Sequence, residues 1–203
     1  MNHLPDPLRR RLLALAALAL VAPRASHAAA ALRIAGQTFA GDIVVSGEAL
    51  QLNGVGVRAV AWLKGYAAGL YLASRARNPA QVLAAPGAKR LQMRMLLDVD
   101  NEEFVKAFHK GVERNTSAAG AAALAERMAR FDALLRAIGR VKKRDVIDLD
   151  WLPGRGLQLA LNGRPRGEPI PGDDLYTALL AIFVGEHPVD AALKAGLLGG
   201  PPA

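Results

Sequence analysis

The chain has 203 residues, a formal net charge of +8 and no cysteine. That length suffices for one domain with a proper core, and the missing cysteines exclude disulfide and thiolate chemistry. Four of the 26 basic residues and one of the 18 acidic ones lie in residues 1–28, which leaves 22 against 17 and a net charge of +5. That weakens any nucleic-acid reading.

The N-terminus carries the three parts of a secretory signal. Arg9-Arg10-Arg11 is the charged region, Leu12 to Ala22 an apolar run, and Ser26-His27-Ala28 and Ala28-Ala29-Ala30 offer small-x-small cleavage sites. A membrane span needs about 20 apolar residues, and Arg24 and His27 interrupt the run too early. Residues 1–28 are expected to be a signal peptide and residues 29–203 one domain, periplasmic or secreted. No second segment is long enough to span a membrane once the leader is removed.

From Leu32 to Leu50, short apolar pieces alternate with Gly36, Gly41-Asp42 and Gly47, the punctuation of short strands and turns. The next stretch, Leu52 to Leu72, reads LNGVGVRAVAWLKGYAAGLYL. It predicts two consecutive strands, joined at Lys64-Gly65 and covered on both faces. Arg58 stands inside it, on the face of Val60 and Trp62 by strand alternation. A buried guanidinium calls for an anionic partner. Tyr66 and Tyr71 fall on opposite faces by the same parity.

Asn78-Pro79 marks a turn, and Ala80 to Ala85 one or two helical turns before Pro86-Gly87. Lys89 to Leu97 sets Leu91, Met93, Met95 and Leu97 against Arg90, Gln92 and Arg94, the pattern of a half-exposed strand. Asp98-Val99-Asp100 supplies a cap for a helix from about Glu102 to Asn115. Its apolar stripe is Phe104, Val105, Phe108 and Val112. Seven residues on from Phe108, Asn115 returns to that stripe. It is either a helix-end cap or an amide pointing into a cavity that Arg58 also faces. A second helix is predicted from Ser117 to Ile138, stopped by Gly139.

A hairpin around Pro153-Gly154-Arg155-Gly156, a turn at Asn162-Gly163, a helix from Asp173 or Asp174 to Val184, and a short helix from Val189 to Leu197 complete the chain. Strands first, helices in the middle, a hairpin and closing helices predict an α+β fold, helices on one face of an antiparallel sheet.

Few chemical constellations are legible. Past the leader only His109 and His187 remain, with no carboxylate at ligand spacing, so no metal and no cofactor are expected. His109 follows Phe108 and is expected to point to solvent. Gly54-x-Gly56 lacks the βα context of a nucleotide loop. Arg140, Lys142, Lys143 and Arg144 lack interleaved aromatics and read as a solvated strand lead-in, so no nucleic acid is expected. No Ser-His-Asp or paired-carboxylate arrangement is present.

Leu52-Asn53-Gly54-Val55-Gly56-Val57-Arg58, followed by Lys64 and Ala68-Gly69-Leu70-Tyr71-Leu72, resembles the LxGxGxR…K…xGxYL segment of the chalcone isomerase superfamily. The later landmarks fall into the same order over residues 32–198, and the chain is most similar to a bacterial secreted branch. The resemblance implies a chalcone isomerase-like open-faced β-sandwich, a large antiparallel sheet backed by helices. It also implies two activities. The plant enzymes close a flavanone ring, using an Arg with Tyr, Thr and Asn hydrogen bonds. Other members bind fatty acids without catalysis, the carboxylate held by the same Arg and a nearby Tyr.

On this resemblance Arg58 matches the Arg, and Asn115 the Asn. Tyr66 falls on the Thr position. Phe108 replaces a Tyr and so lacks its hydroxyl, and Ile182 falls near a Ser or Thr. Removing such groups from a desolvated site costs orders of magnitude in rate. The expectation is a non-catalytic protein holding a small apolar anion, a fatty acid first, with Arg58, Tyr66, Asn115, Phe108 and Ile182 around it. The alternatives are an intramolecular lyase acting on an enone, and a structural or interaction domain with a filled core.

Overall fold

A computed structural model describes residues 30–60 and 63–201. The expected leader, residues 1–28, and Trp62 lie outside the described residues, as does the side chain of Val60. A small hairpin comes first, β1 (Leu32–Ile34) and β2 (Gln37–Phe39). Then β3 (Asp42–Val45), β4 (Glu48–Val60), β5 (Leu63–Leu72), β6 (Lys89–Met95), β7 (Val146–Leu152), β8 (Gly156–Leu161) and β9 (Arg164–Pro165) form one antiparallel sheet in chain order. The helices are α1 (Pro79–Leu83), α2 (Asn101–Asn115), α3 (Ala118–Ala137), α4 (Asp173–Val184) and α5 (Ala191–Leu197). This is the expected α+β order.

The turns follow from local chemistry. Ser46-Gly47 and Asn162-Gly163 both take positive φ, as two-residue hairpin loops require. Ser117 caps α3 through its hydroxyl, which accepts from the Gly120 N–H at 3.1 Å. The cap of α4 is Gly172, while Asp173 and Asp174, expected as caps, lie in the first turn. Carboxylates there still favour the helix dipole.

Two expectations about strands are corrected. The β4–β5 ladder closes with Val60 opposite Leu63, so Lys64 and Gly65 lie inside β5 and do not form the turn. Arg58 pairs with Tyr66 and Ala59 with Lys64, so Gly65 is the extra residue of a β-bulge. Glycine marks bulges as well as turns. The polar face of β6 is also not half-exposed. Arg90 forks onto Asp150 with two bonds of 2.6 Å, Gln92 donates to Asp148 at 2.8 Å, and the Arg94 guanidinium lies 5.2 Å from the centre of the Phe39 ring. β6 is central, β7 sets carboxylates directly opposite, and the β1–β2 hairpin covers the face. Alternation reads the same whether polar side chains face water or partners.

The sheet therefore has two cores. On one face Ile34, Phe39, Leu52, Tyr71 and Leu152 pack under the hairpin. On the other, Leu91, Met93, Met95 and Leu159 pack against the apolar stripes of α2, α3 and α4. Tyr66 packs on the helix side and Tyr71 on the hairpin side, as parity predicts.

The glycines of β4 serve helix packing. A Cβ on Gly56 would lie 2.8 Å from the Leu193 carbonyl oxygen, and one on Gly54 would run into the Gly196 carbonyl. Without side chains there, α5 lies directly on the strand. Asn53 locks this arrangement from within. Its Nδ2 donates to Ala76 O at 3.0 Å and to Leu197 O at 2.7 Å, and its Oδ1 accepts from Ala76 N at 2.7 Å.

Candidate functional site

Between the helix-side face of the sheet and α2, α3 and α4 the packing leaves a cavity of about 490 Å³. This is within the range of small-molecule sites. β6 and β7 supply Met93, Met95, Ile147 and Leu149; α2 and α3 supply Phe104, Phe108, Phe131 and Leu135; α4 supplies Leu179, Ile182 and Phe183. These walls arise because the helix stripes and the inward residues of the strands are all apolar. Phe108 and Phe131 meet edge to face, ring centres 4.9 Å apart.

Polar groups gather at one end. Arg58 and Tyr66, direct partners across the β4–β5 ladder, both line the cavity. The Arg58 guanidinium is half-buried, and its Nη1 donates to the Val189 carbonyl at 3.2 Å. Among the described residues no carboxylate stands within ion-pair distance of it. Nearby Asp190 is engaged elsewhere, accepting from the backbone N–H of Leu193 at 2.9 Å and of Ala59 at 3.4 Å. The anionic partner that burial of Arg58 calls for is thus not supplied by a described side chain.

The Tyr66 hydroxyl makes no hydrogen bond to the protein among the described residues. Burial pushes its pKa well up; the Arg58 charge pulls it back in part and Asp190 pushes it further up. The phenol is therefore a neutral donor at any ordinary pH.

The mouth carries exposed Asp98, Asp100 and Glu103. Arg140 Nε lies 3.7 Å from Asp100 and 4.0 Å from Asp98, and Lys106 is 2.9 Å from Glu103. Residues 98–100 read as a helix cap in the sequence. Asp100 does occupy the N-cap position, yet its side chain makes no capping bond. The strand expected to run to Leu97 ends at Met95, and Leu97 just beyond it lines the cavity.

Four of the five residues singled out in the sequence come together in this lining: Arg58, Tyr66, Phe108 and Ile182. Asn115 does not line the cavity. It ends α2, donating from Nδ2 to Gly111 O at 3.0 Å and to His187 O at 2.9 Å, while its Oδ1 accepts from His187 N at 3.0 Å. A side chain at the last helical turn reaches the neighbouring loop more readily than the cavity. Sequence spacing fixed its face of the helix without fixing its reach.

His109 faces solvent, as expected, and also finds a partner. Its ring is about half exposed, and Nε2 lies 2.7 Å from Oδ2 of buried Asp132 on α3. Among the described residues, no group of three His, Asp or Glu could hold a metal ion. The described cavity lining contains no serine, threonine, histidine or lysine. The basic run is exposed at Arg140, Lys142, Lys143 and Arg144, as expected. No described helix is long and apolar enough to cross a membrane.

Residues 31–199 match the family model described as chalcone isomerase-like. No curated protein matches the chain. Among solved structures, the fatty-acid binding protein of Arabidopsis thaliana is similar in fold, with a TM-score of 0.67 and 20% identity. The match covers 83% of this chain and 96% of that one.

Proposed function

Given that the chain belongs to the chalcone isomerase-like family, we propose that this member is a non-catalytic binder of a small apolar anion, a fatty acid first. The observation that carries the reading is the cavity itself. It is apolar along its walls, and at one end stand a guanidinium and a phenol for which no described residue supplies a carboxylate or an acceptor, respectively. An acyl chain fits the walls, and its carboxylate supplies the missing charge and acceptor. Burial of the chain contributes roughly 0.8 kcal/mol per CH₂, and the charge-assisted bonds fix its orientation. The Arabidopsis protein of similar fold, named for fatty-acid binding, supports the same choice by analogy.

The lyase alternative finds less support. Phe108 brings no hydroxyl to the cavity, and the Asn115 amide is bound to the 187 backbone. The leader-like residues 1–28 support placement in the periplasm or outside the cell, in a secreted bacterial branch of the family. Native mass spectrometry of the protein purified from its own host tests both points. The expected result is a mass lacking Arg9 to Arg11 with a bound acyl anion. Protein that carries no lipid and does not take up dodecanoate on addition sinks the binding reading.

A further inference from the structure

The 185–190 loop forms part of the cavity wall through Val189, and the protein grips it from several sides. Asn115 holds His187 by both its N–H and its carbonyl, at 3.0 and 2.9 Å. The Val189 N–H donates to Ile182 O at 2.7 Å, and Lys194 Nζ donates to Gly185 O at 2.7 Å. The Val189 carbonyl then accepts from Arg58 Nη1 at 3.2 Å. A two-way amide clamp on one residue, His187, thus stands two residues from the carbonyl that fixes the guanidinium. The space is shaped around the clamp: a Cβ on Gly185 would fall 2.7 Å from Asn115 Oδ1.

We infer that Asn115 is a positioning residue for the anion end of the cavity, acting on Arg58 through residues 187–189 without touching the ligand. The inference rests on the carboxylate-binding reading given above. With the loop held, one guanidinium N–H is committed to Val189 and the others are aimed as a fixed fork, the geometry that carboxylate recognition requires. With the loop released, Arg58 keeps its charge and loses its aim. The apolar walls are untouched, so the effect falls on the acid group alone.

The test is a mutant cycle with two probes, dodecanoate and 1-dodecanol, whose affinities are measured for the wild type, Asn115→Ala, Arg58→Ala and the double variant. Asn115→Ala is expected to weaken dodecanoate by about five- to tenfold and to leave dodecanol within about twofold. In the Arg58→Ala background the same substitution should have no further effect on the acid, because its route runs through the guanidinium. If the alanine variant is unstable, Asn115→Asp keeps the shape and the acceptor for the His187 N–H, and should give a smaller loss in the same direction. Equal weakening of acid and alcohol, or additive losses in the double variant, would overturn the inference and leave Asn115 a purely structural clamp. A wild type that binds both probes alike, or an Arg58→Ala variant that still prefers the acid, would instead overturn the carboxylate reading and this inference with it.

Discussion

Arg58 and Tyr66 face one another across a single rung of the β4–β5 ladder, immediately before the bulge at Gly65. Their shared rung puts a cation and a neutral phenol at one end of a cavity whose walls are apolar. Removing either should therefore act on the polar end of a ligand and spare its tail. Arg58→Ala is expected to weaken carboxylate binding by about 1.5–3 kcal/mol, the usual worth of a hydrogen bond to a charged group. Tyr66→Phe should cost about 1 kcal/mol. Titration with dodecanoate and dodecanol checks both. Equal losses for acid and alcohol would mean that Arg58 holds the fold, not the ligand.

Phe108 is where the resemblance to the ring-closing enzymes lacks a hydroxyl. The unmodified protein should close a chalcone no faster than the spontaneous reaction. Phe108→Tyr should raise a weak activity above background if the cavity can orient a chalcone at all. Absorbance at the chalcone band follows both. Robust turnover by the wild type, lost in Arg58→Ala, would establish the lyase reading.

Gly56 tests the packing of α5 on β4. Gly56→Ala drives a methyl against the Leu193 carbonyl, and overpacking of this kind costs about 1–3 kcal/mol. Gly54→Ala should be at least as severe, because the Gly196 carbonyl and two further backbone atoms stand in the way. Gly163→Ala is a useful contrast, since open space surrounds it and only its positive φ is strained. Urea unfolding ranks the three.

Tyr71 and Tyr176 should make the fold fail at high pH. Burial pushes the Tyr71 phenol up to about 12 and raises Tyr176 well above the usual value of 10.0. Nearby charges modify this: Arg94 and Arg90 pull Tyr71 back, and Asp150 pushes Tyr176 further up. Above pH 10 the unfolded chain ionises both tyrosines while the folded chain keeps the protons. The stability they contribute is therefore complete below pH 10 and is lost as pH rises through the folded values. Tyr66, raised in the same way, adds a third proton, so the slope approaches about 4 kcal/mol per pH unit. Lys89, whose pKa burial lowers, opposes this below its ordinary value of 10.5. Denaturant midpoints between pH 9 and 12 give the slope, and Tyr71→Phe should reduce it.

Much of this was legible in the chain because it rested on local rules. The stripes of Phe104 and Phe108, the start of α3 next to Ser117, the Asn162-Gly163 turn and the opposite faces of Tyr66 and Tyr71 all follow from period and turn chemistry. What escaped depends on partners distant in sequence. Gln92 and Arg90 looked exposed because nothing local announces Asp148 and Asp150, some 60 residues away. The Lys64-Gly65 pair had turn composition, and only the register with β4 shows Gly65 to be a bulge. Asn115 was placed on the right side of its helix, but its partner, the His187 backbone, lies 72 residues on. The Val189 carbonyl could not have been found at all, since a main-chain oxygen leaves no mark in the identity of its residue.

The contacts that join β4 to α5 and the loop before it span most of the chain. Arg58 meets Val189 across 131 residues of chain, and Asn53 meets Leu197 across 144. Contacts so distant in sequence reward the chain only after a long loop has closed. During synthesis the sheet from β3 to β6 emerges long before the residues that steady its arginine. A nascent chain that has reached only α4 has apolar walls with no fixed anion end. On the binding reading proposed above, a chain truncated before Val189 is expected to lose its preference for the acid over the alcohol.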